Sequence, residues 1–328
     1  MDFDLHFYLT GSFGWLSLCS NIISVYIVLY KTPKEMKDTI KVMILGRFGD
    51  FLSGFFGGVL LNAYFIAPIP AVGVQGLSLY LPDIFMIISL LSMLVGVYLS
   101  IFALSLQYFI TFEAICGRKY SKAKINFIKI LFYLSMVLFS FFMITCSIYW
   151  TDDSERKIAF IQEIPALTYY IRRSERILCA NPNLSMKIFY ITLLITLIGV
   201  FIPIILIFYF SRFIYIELQV LKKSRNEVSL KKYTKAVKML FYQAMIPAAF
   251  FILPCTLLAI IIFLNYEDML VPGMFGTHIC CVLVIGYSSA TALFYTWKYH
   301  ISETSYFKKM TVKLKKVTII HSNQIRNS

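Results

Sequence analysis

Charge is scarce in this 328-residue chain: 15% of its residues are charged, against 59% apolar and 17% aromatic. A soluble domain carries about 25% charged residues, so the composition excludes that class. Acids are scarcer still, with 17 Asp and Glu against 31 Lys and Arg, for a net charge of +14. On a soluble surface that excess would suggest nucleic acid, but no nucleic-acid module is present and the distribution of the charge decides otherwise. There are 4 histidines. His6, His278, His300 and His321 are scattered, so no metal-ligand cluster is visible and no cofactor is implied. There is no P-loop, no H-E-x-x-H and no G-x-S-x-G, which leaves catalysis little to stand on. The 7 cysteines do not add up to a disulfide framework. Cys19, Cys116, Cys146, Cys255, Cys280 and Cys281 sit in or at the ends of apolar runs, and Cys179 is left unpaired or undecided. No cleavable signal peptide is evident, because the first apolar run is too long and no basic segment precedes it.

Long apolar runs are what the chain has instead. They fall at about residues 8–30, 42–67, 83–110, 126–150, 186–211, 239–264 and 274–297. Each is apolar all round and long enough to cross a bilayer core at about 1.5 Å per residue. The pattern predicts an all-α membrane protein, a bundle of seven transmembrane helices over residues 1–300 with a basic tail at 301–328. Alternate connections hold 24 of the 31 basic residues. They include Arg118 and Lys119 after span three, and Lys222, Lys223, Arg225, Lys231 and Lys232 before span six. The bias places those connections and the C-terminus in the cytoplasm and the N-terminus outside. In the tail, aromatic and apolar residues from Tyr306 to Leu314 interleave with lysines, which suits a segment lying on anionic membrane lipids.

Within the spans, polar residues are few and stand out. Asn21 and Asp50 lie at about the same depth, each roughly 13 Å from the inner boundary, and Arg47 is one turn from Asp50. An intramembrane acid is costly unless paired, so Asn21, Arg47 and Asp50 are a candidate polar clamp. The alternative is a simple i,i+3 ion pair with the arginine reaching to the interface. Gly54-x-x-x-Gly58 lets a second helix come close, within the bundle or in a dimer. The loop after Trp150 is the longest, and Ile158, Ile161, Ile164 and Leu167 suggest a short amphipathic helix in it, interrupted at Pro165. Asn183-Leu-Ser185 matches a glycosylation acceptor close to span five. Pro203 in span five, and Pro247 and Pro254 in span six, each remove one backbone donor, freeing the carbonyls of Gly199, Gln243 and Phe250. Gln243, Pro247 and Pro254 are therefore a candidate hinge. Phe85, Met86, Ser89, Cys255 and His278 lie in the outer halves of spans three, six and seven and are candidate pocket residues. His278 reads either as a ligand- or pH-sensing group or as a histidine satisfied by Glu267 or Asp268.

Several segments together resemble the nematode serpentine chemoreceptors, class H first and class I next. They are Lys31-Thr-Pro-Lys34-Glu-Met36-Lys37, Asp50 followed by Ala67-Pro-Ile-Pro with Gly73 and Gly76, and Gln243-x-x-Ile246-Pro247. The loop with Pro165 is similar too, although the family's cysteine after that proline is Ala166 here. The resemblance covers nearly the whole chain. It implies a G-protein-coupled receptor of the sensory-neuron plasma membrane, in cilia, that binds a small environmental molecule in olfaction-like sensing. Its partners would be that ligand and a heterotrimeric G protein facing Arg118, Lys119 and the Lys222–Lys232 segment. The Asp-Arg-Tyr triplet of many such receptors is replaced by Phe112-Glu113-Ala114, and Asn-Pro-x-x-Tyr by the stretch from Tyr287 to Tyr295. A ligand-gated channel or transporter is the first rival, set back by the lack of an internal repeat and of intramembrane charges. A partner that binds no ligand itself but forms homo- or hetero-oligomers with other receptors is the second.

Overall fold

The computed structural model describes residues 3–31, 37–65, 71–116, 121–149, 176–179, 186–223, 227–252, 256, 278–279 and 281–297. Outside them lie Arg118, Lys119, Arg225, Pro254, Cys255, Glu267, Asp268, the Ile158–Leu167 run, Asn183 and the tail. Nearly all of what is described is helical. The helices are α1 (Phe3–Lys31), α2 (Lys37–Gly54), α3 (Asp83–Cys116), α4 (Lys122–Tyr149), α5 (Met186–Lys223), α6 (Glu227–Pro247) and α7 (Cys281–Trp297). Five of these stretches are long and apolar enough to cross a membrane: Leu5–Tyr30, Thr39–Leu61, Ile84–Cys116, Lys122–Thr145 and Phe201–Val220. Their exposed residues include Trp15, Tyr26, Tyr133, Ile144 and Phe208, large apolar side chains of the kind that face lipid.

Small residues set how closely the helices approach. α2 packs most extensively on α3, and a Cβ on Gly49 would stand 2.7 Å from the carbonyl oxygen of Gly96. Gly58 lies against α1, where an added Cβ would be 2.7 Å from the Cα of Gly14, and one on Gly54 would run into Ser17. The Gly54-x-x-x-Gly58 stripe is thus used inside the bundle, between α2 and α1, as small-residue packing in membranes requires.

At its far end α2 widens into a π-helical turn (Phe55–Leu61), and Asn62 then takes the left-handed conformation, φ 46°, that turns the chain out of the helix. A three-stranded antiparallel sheet follows, which the sequence pattern did not anticipate. Its strands are β1 (Ala63–Phe65), β2 (Ala71–Val74) and β3 (Arg176–Cys179), in the order β1-β2-β3. β3 pairs Val72 with Leu178, tying the long connection between α4 and α5 to the hairpin between α2 and α3. Val72, Val74 and Leu178 pack with Leu61, Met86, Leu90 and Met93, so the sheet caps that end of the bundle. Tyr64 pairs with Gly73 across β1 and β2, where a side chain at Gly73 would collide with the tyrosine ring.

Candidate functional site

The centre of the bundle is polar on one side. Asp50 is wholly buried on α2, and one turn earlier Arg47 reaches it with Nη2 2.8 Å from Oδ2. The hydroxyls of Ser100 and Tyr287 lie against the carboxylate without reaching full hydrogen-bond geometry, so the ion pair is its strong contact among the described residues. The Arg47 guanidinium also sits 4.5 Å from the centroid of the Tyr295 ring on α7. Tyr295 in turn donates its hydroxyl to Gln107 Oε1 of α3 over 3.5 Å. An arginine that could extend toward an interface is instead turned into the bundle, where the aromatic face and the acid share its charge.

Asn21 meets Asp50 through a third residue. Its amide donates to the Ser17 carbonyl (2.9 Å) and to Ser288 Oγ of α7 (3.1 Å). Ser288 Oγ donates 2.5 Å to the Asp50 carbonyl, which also accepts from Ser53 Oγ at 3.0 Å, and Ser17 Oγ touches Ser288 Oγ. Three helices, α1, α2 and α7, are thereby joined around one backbone carbonyl. Ser289 adds a bond from α7 to the Phe13 carbonyl of α1, 2.8 Å. Serines were the residues missed: a hydroxyl in an apolar run is common in membrane helices and gives no sign of which neighbour it will meet.

The other side is aromatic. Tyr98, Phe102, Tyr108, Phe109 and Phe112 of α3 form one cluster with Phe132 and Phe139 of α4, Phe210 and Ile214 of α5 and Leu240 of α6. Tyr98 stacks on Phe139 at 3.9 Å between ring centroids, and Phe112 lies 5.2 Å from Phe210.

The helix-breaking residues differ in how their freed carbonyls are served. Pro203 leaves α5 continuous from Met186 to Lys223, and Ser135 of α4 donates to the Gly199 carbonyl that the proline freed, 2.8 Å. Ser135 also bonds the Tyr98 hydroxyl, 2.9 Å. Pro247 ends α6, and the π-helical stretch Ala248–Ile252 follows directly. Local π geometry is one way that a membrane helix finds donors again after a proline. Gln243 is 2% exposed, and neither its Nε2 nor its Oε1 has a hydrogen-bond partner.

The pocket candidates are not brought together. Met86 and Ser89 are buried on α3, Met86 within the cluster beneath the sheet, whereas Phe85 is 47% exposed. His278, just ahead of α7, packs against His6 and Tyr64. Of the basic residues expected to meet a G protein, Lys222 and Lys223 lie in the last turn of α5, and Lys231 and Lys232 lie in α6.

Apolar helices long enough to cross a bilayer, joined by a buried ion pair and a knot of serines, define a multi-pass membrane protein. Residues 5–312 match the family described as serpentine type 7TM GPCR chemoreceptor Srh. The match covers nearly all of the chain, which therefore belongs to that family. No curated protein matches the sequence.

Proposed function

We propose that the protein is a plasma-membrane chemoreceptor that binds a small environmental molecule at its sheet end and signals through a heterotrimeric G protein at the opposite end. The charge distribution supports this orientation, with the N-terminus and sheet outside and the basic connections in the cytoplasm. The observation that carries the reading is the contrast between the two proline sites. α5 is secured to α4 by the Ser135 bond at Gly199, whereas α6 breaks at Pro247 beside a buried amide with no hydrogen-bond partner. A helix so made can bend at this point, and a ligand that binds one arrangement better than another shifts the balance toward it. Outward movement of α6 would carry Lys231 and Lys232, with Lys222 and Lys223 at the end of α5, against the G protein. Met86 and Ser89, the buried members of the pocket set on α3, are the ligand contacts this reading favours.

A chemical panel screened by calcium imaging in cells expressing the receptor tests the function as a whole. Once an agonist is in hand, Pro247→Ala should reduce the evoked response several-fold at equal surface expression. A response equal to wild type would remove α6 as the moving part.

A further inference from the structure

Two buried imidazoles from opposite ends of the chain meet at the sheet end of the bundle. His6 lies near the start of α1 and His278 just before α7, and they are 0% and 2% exposed. Their ring centroids are 4.5 Å apart, with the planes at 65°. Tyr64 of β1 closes a third side, 5.1 Å from His278 and 5.9 Å from His6. Neither ring nitrogen of His6 has a hydrogen-bond partner, and the nearby Ala63 backbone does not reach bonding geometry. The polar neighbours are occupied elsewhere. Thr10 bonds the His6 carbonyl (2.7 Å) and the Asn62 side chain, and Asn62 Nδ2 bonds the Phe7 carbonyl (2.9 Å). A buried polar group without a partner carries the cost of losing its water, and phenylalanine would fill the same space without that cost. No described carboxylate contacts the His6 ring to account for it as a structural histidine.

We propose that His6 and His278 form a two-imidazole seat for a zinc ion that ties α1 to the start of α7. Neutral imidazole binds zinc through its unprotonated nitrogen, so no proton need leave either residue. The spacing bears on the geometry of the ion. Two metal–nitrogen bonds of about 2.0–2.1 Å laid end to end would part the nitrogens by about 4 Å. The ring centres would then stand well beyond the 4.5 Å seen. A linear two-coordinate ion therefore does not fit, whereas the bent angle at a tetrahedral ion would bring the ring centres to about 5 Å, a small movement of the rings from the spacing seen. No third His, Cys, Asp or Glu joins the pair among the described residues, so two positions are left to water or to a donor from outside. A site left open in this way is that of a modulating ion, since zinc ions that hold a fold together have four protein ligands.

The test is the thermal stability of the full-length receptor in lipid nanodiscs, stripped of metal and then titrated with zinc alone. Zinc should raise the melting temperature by several degrees and saturate at one equivalent, and magnesium should do nothing. His6→Phe and His278→Phe keep an aromatic ring in place and should each abolish the shift. Cys281→Ser, His300→Ala and His321→Ala, which remove other zinc-binding groups, should retain it. His6→Cys keeps a zinc ligand and should also retain it, which covers the case in which His6→Phe does not fold. A shift of equal size in wild type and His6→Phe, no shift in wild type, or loss of the shift in His6→Cys would each overturn the proposal. The readout is zinc binding without signalling, so it stands apart from any test of chemoreception.

Discussion

The two sides of this bundle are held by different forces. α1, α2 and α7 meet through an ion pair, serine hydroxyls and backbone carbonyls, with Arg47, Asp50, Asn21 and Ser288 at the centre. α3, α4, α5 and α6 meet through aromatic rings, with Phe112, Phe132, Phe139 and Phe210 at the centre. In lipid there is no hydrophobic drive to bring helices together, so both sides rest on what hydrogen bonds and van der Waals contact can supply. Hydrogen bonds are directional and fix one register. Ring packing tolerates sliding, because one ring contact can be exchanged for another of similar energy. The difference suits a receptor in which α6, on the aromatic side, moves against a polar side that stays still.

Removing the acid at the centre is the hardest blow to that contrast. Asp50→Ala leaves Arg47 buried and unpaired, which costs about 3–5 kcal/mol where such pairs have been broken. We expect a large fall in melting temperature and in surface expression. The double variant Asp50→Leu with Arg47→Met removes both charges, and much of the loss should return. If Asp50→Ala melts like wild type, the ion pair does not anchor the polar side.

On the aromatic side a comparable position should matter less. Phe112→Leu keeps an apolar side chain but loses the ring contacts to Phe210, at 5.2 Å, and Phe213, at 6.4 Å. The aromatic part of such a pair is worth about 0.5–1.5 kcal/mol. The melting temperature should fall modestly, with folding and surface expression kept. A loss as large as that of Asp50→Ala would mean that the two sides are equally rigid, and the contrast would fail.

How much of this was legible in the sequence follows from how local each feature is. Arg47 and Asp50 are three residues apart on one helix, and two charges in an apolar run declare themselves. The prolines likewise announce the carbonyls they free, and Gly199 and Gln243 could be named from spacing alone. What serves those carbonyls could not, because Ser135 lies on another helix, 64 residues before Gly199. The sheet was hidden for a similar reason: Ala71–Val74 is four residues between glycines and prolines, and its partner β3 comes from a distant connection. His6 and His278 read as scattered because the start of α1 and the start of α7 become neighbours only when the bundle closes.

The smallest effect should come from a residue that joins three others. Ser288 accepts from Asn21, donates to the Asp50 carbonyl and touches Ser17, so by contact alone Ser288→Ala looks severe. Each of its partners has a second bond, however. The Asp50 carbonyl keeps Ser53 at 3.0 Å, and the Asn21 amide keeps the Ser17 carbonyl at 2.9 Å and Ser17 Oγ at 3.1 Å. Replacing the serine strands no charge and leaves the Asn21 amide bonded, so the cost should approach the roughly 0.6 kcal/mol typical of a hydrogen bond between membrane helices. Thermal melting of Ser288→Ala and Asn21→Ala, singly and together, separates the alternatives. Nearly additive small losses would show that the network is redundant and that the Arg47–Asp50 pair alone makes the polar side rigid. A Ser288→Ala loss close to that of Asp50→Ala would move the anchor from the ion pair to the serine that joins the three helices.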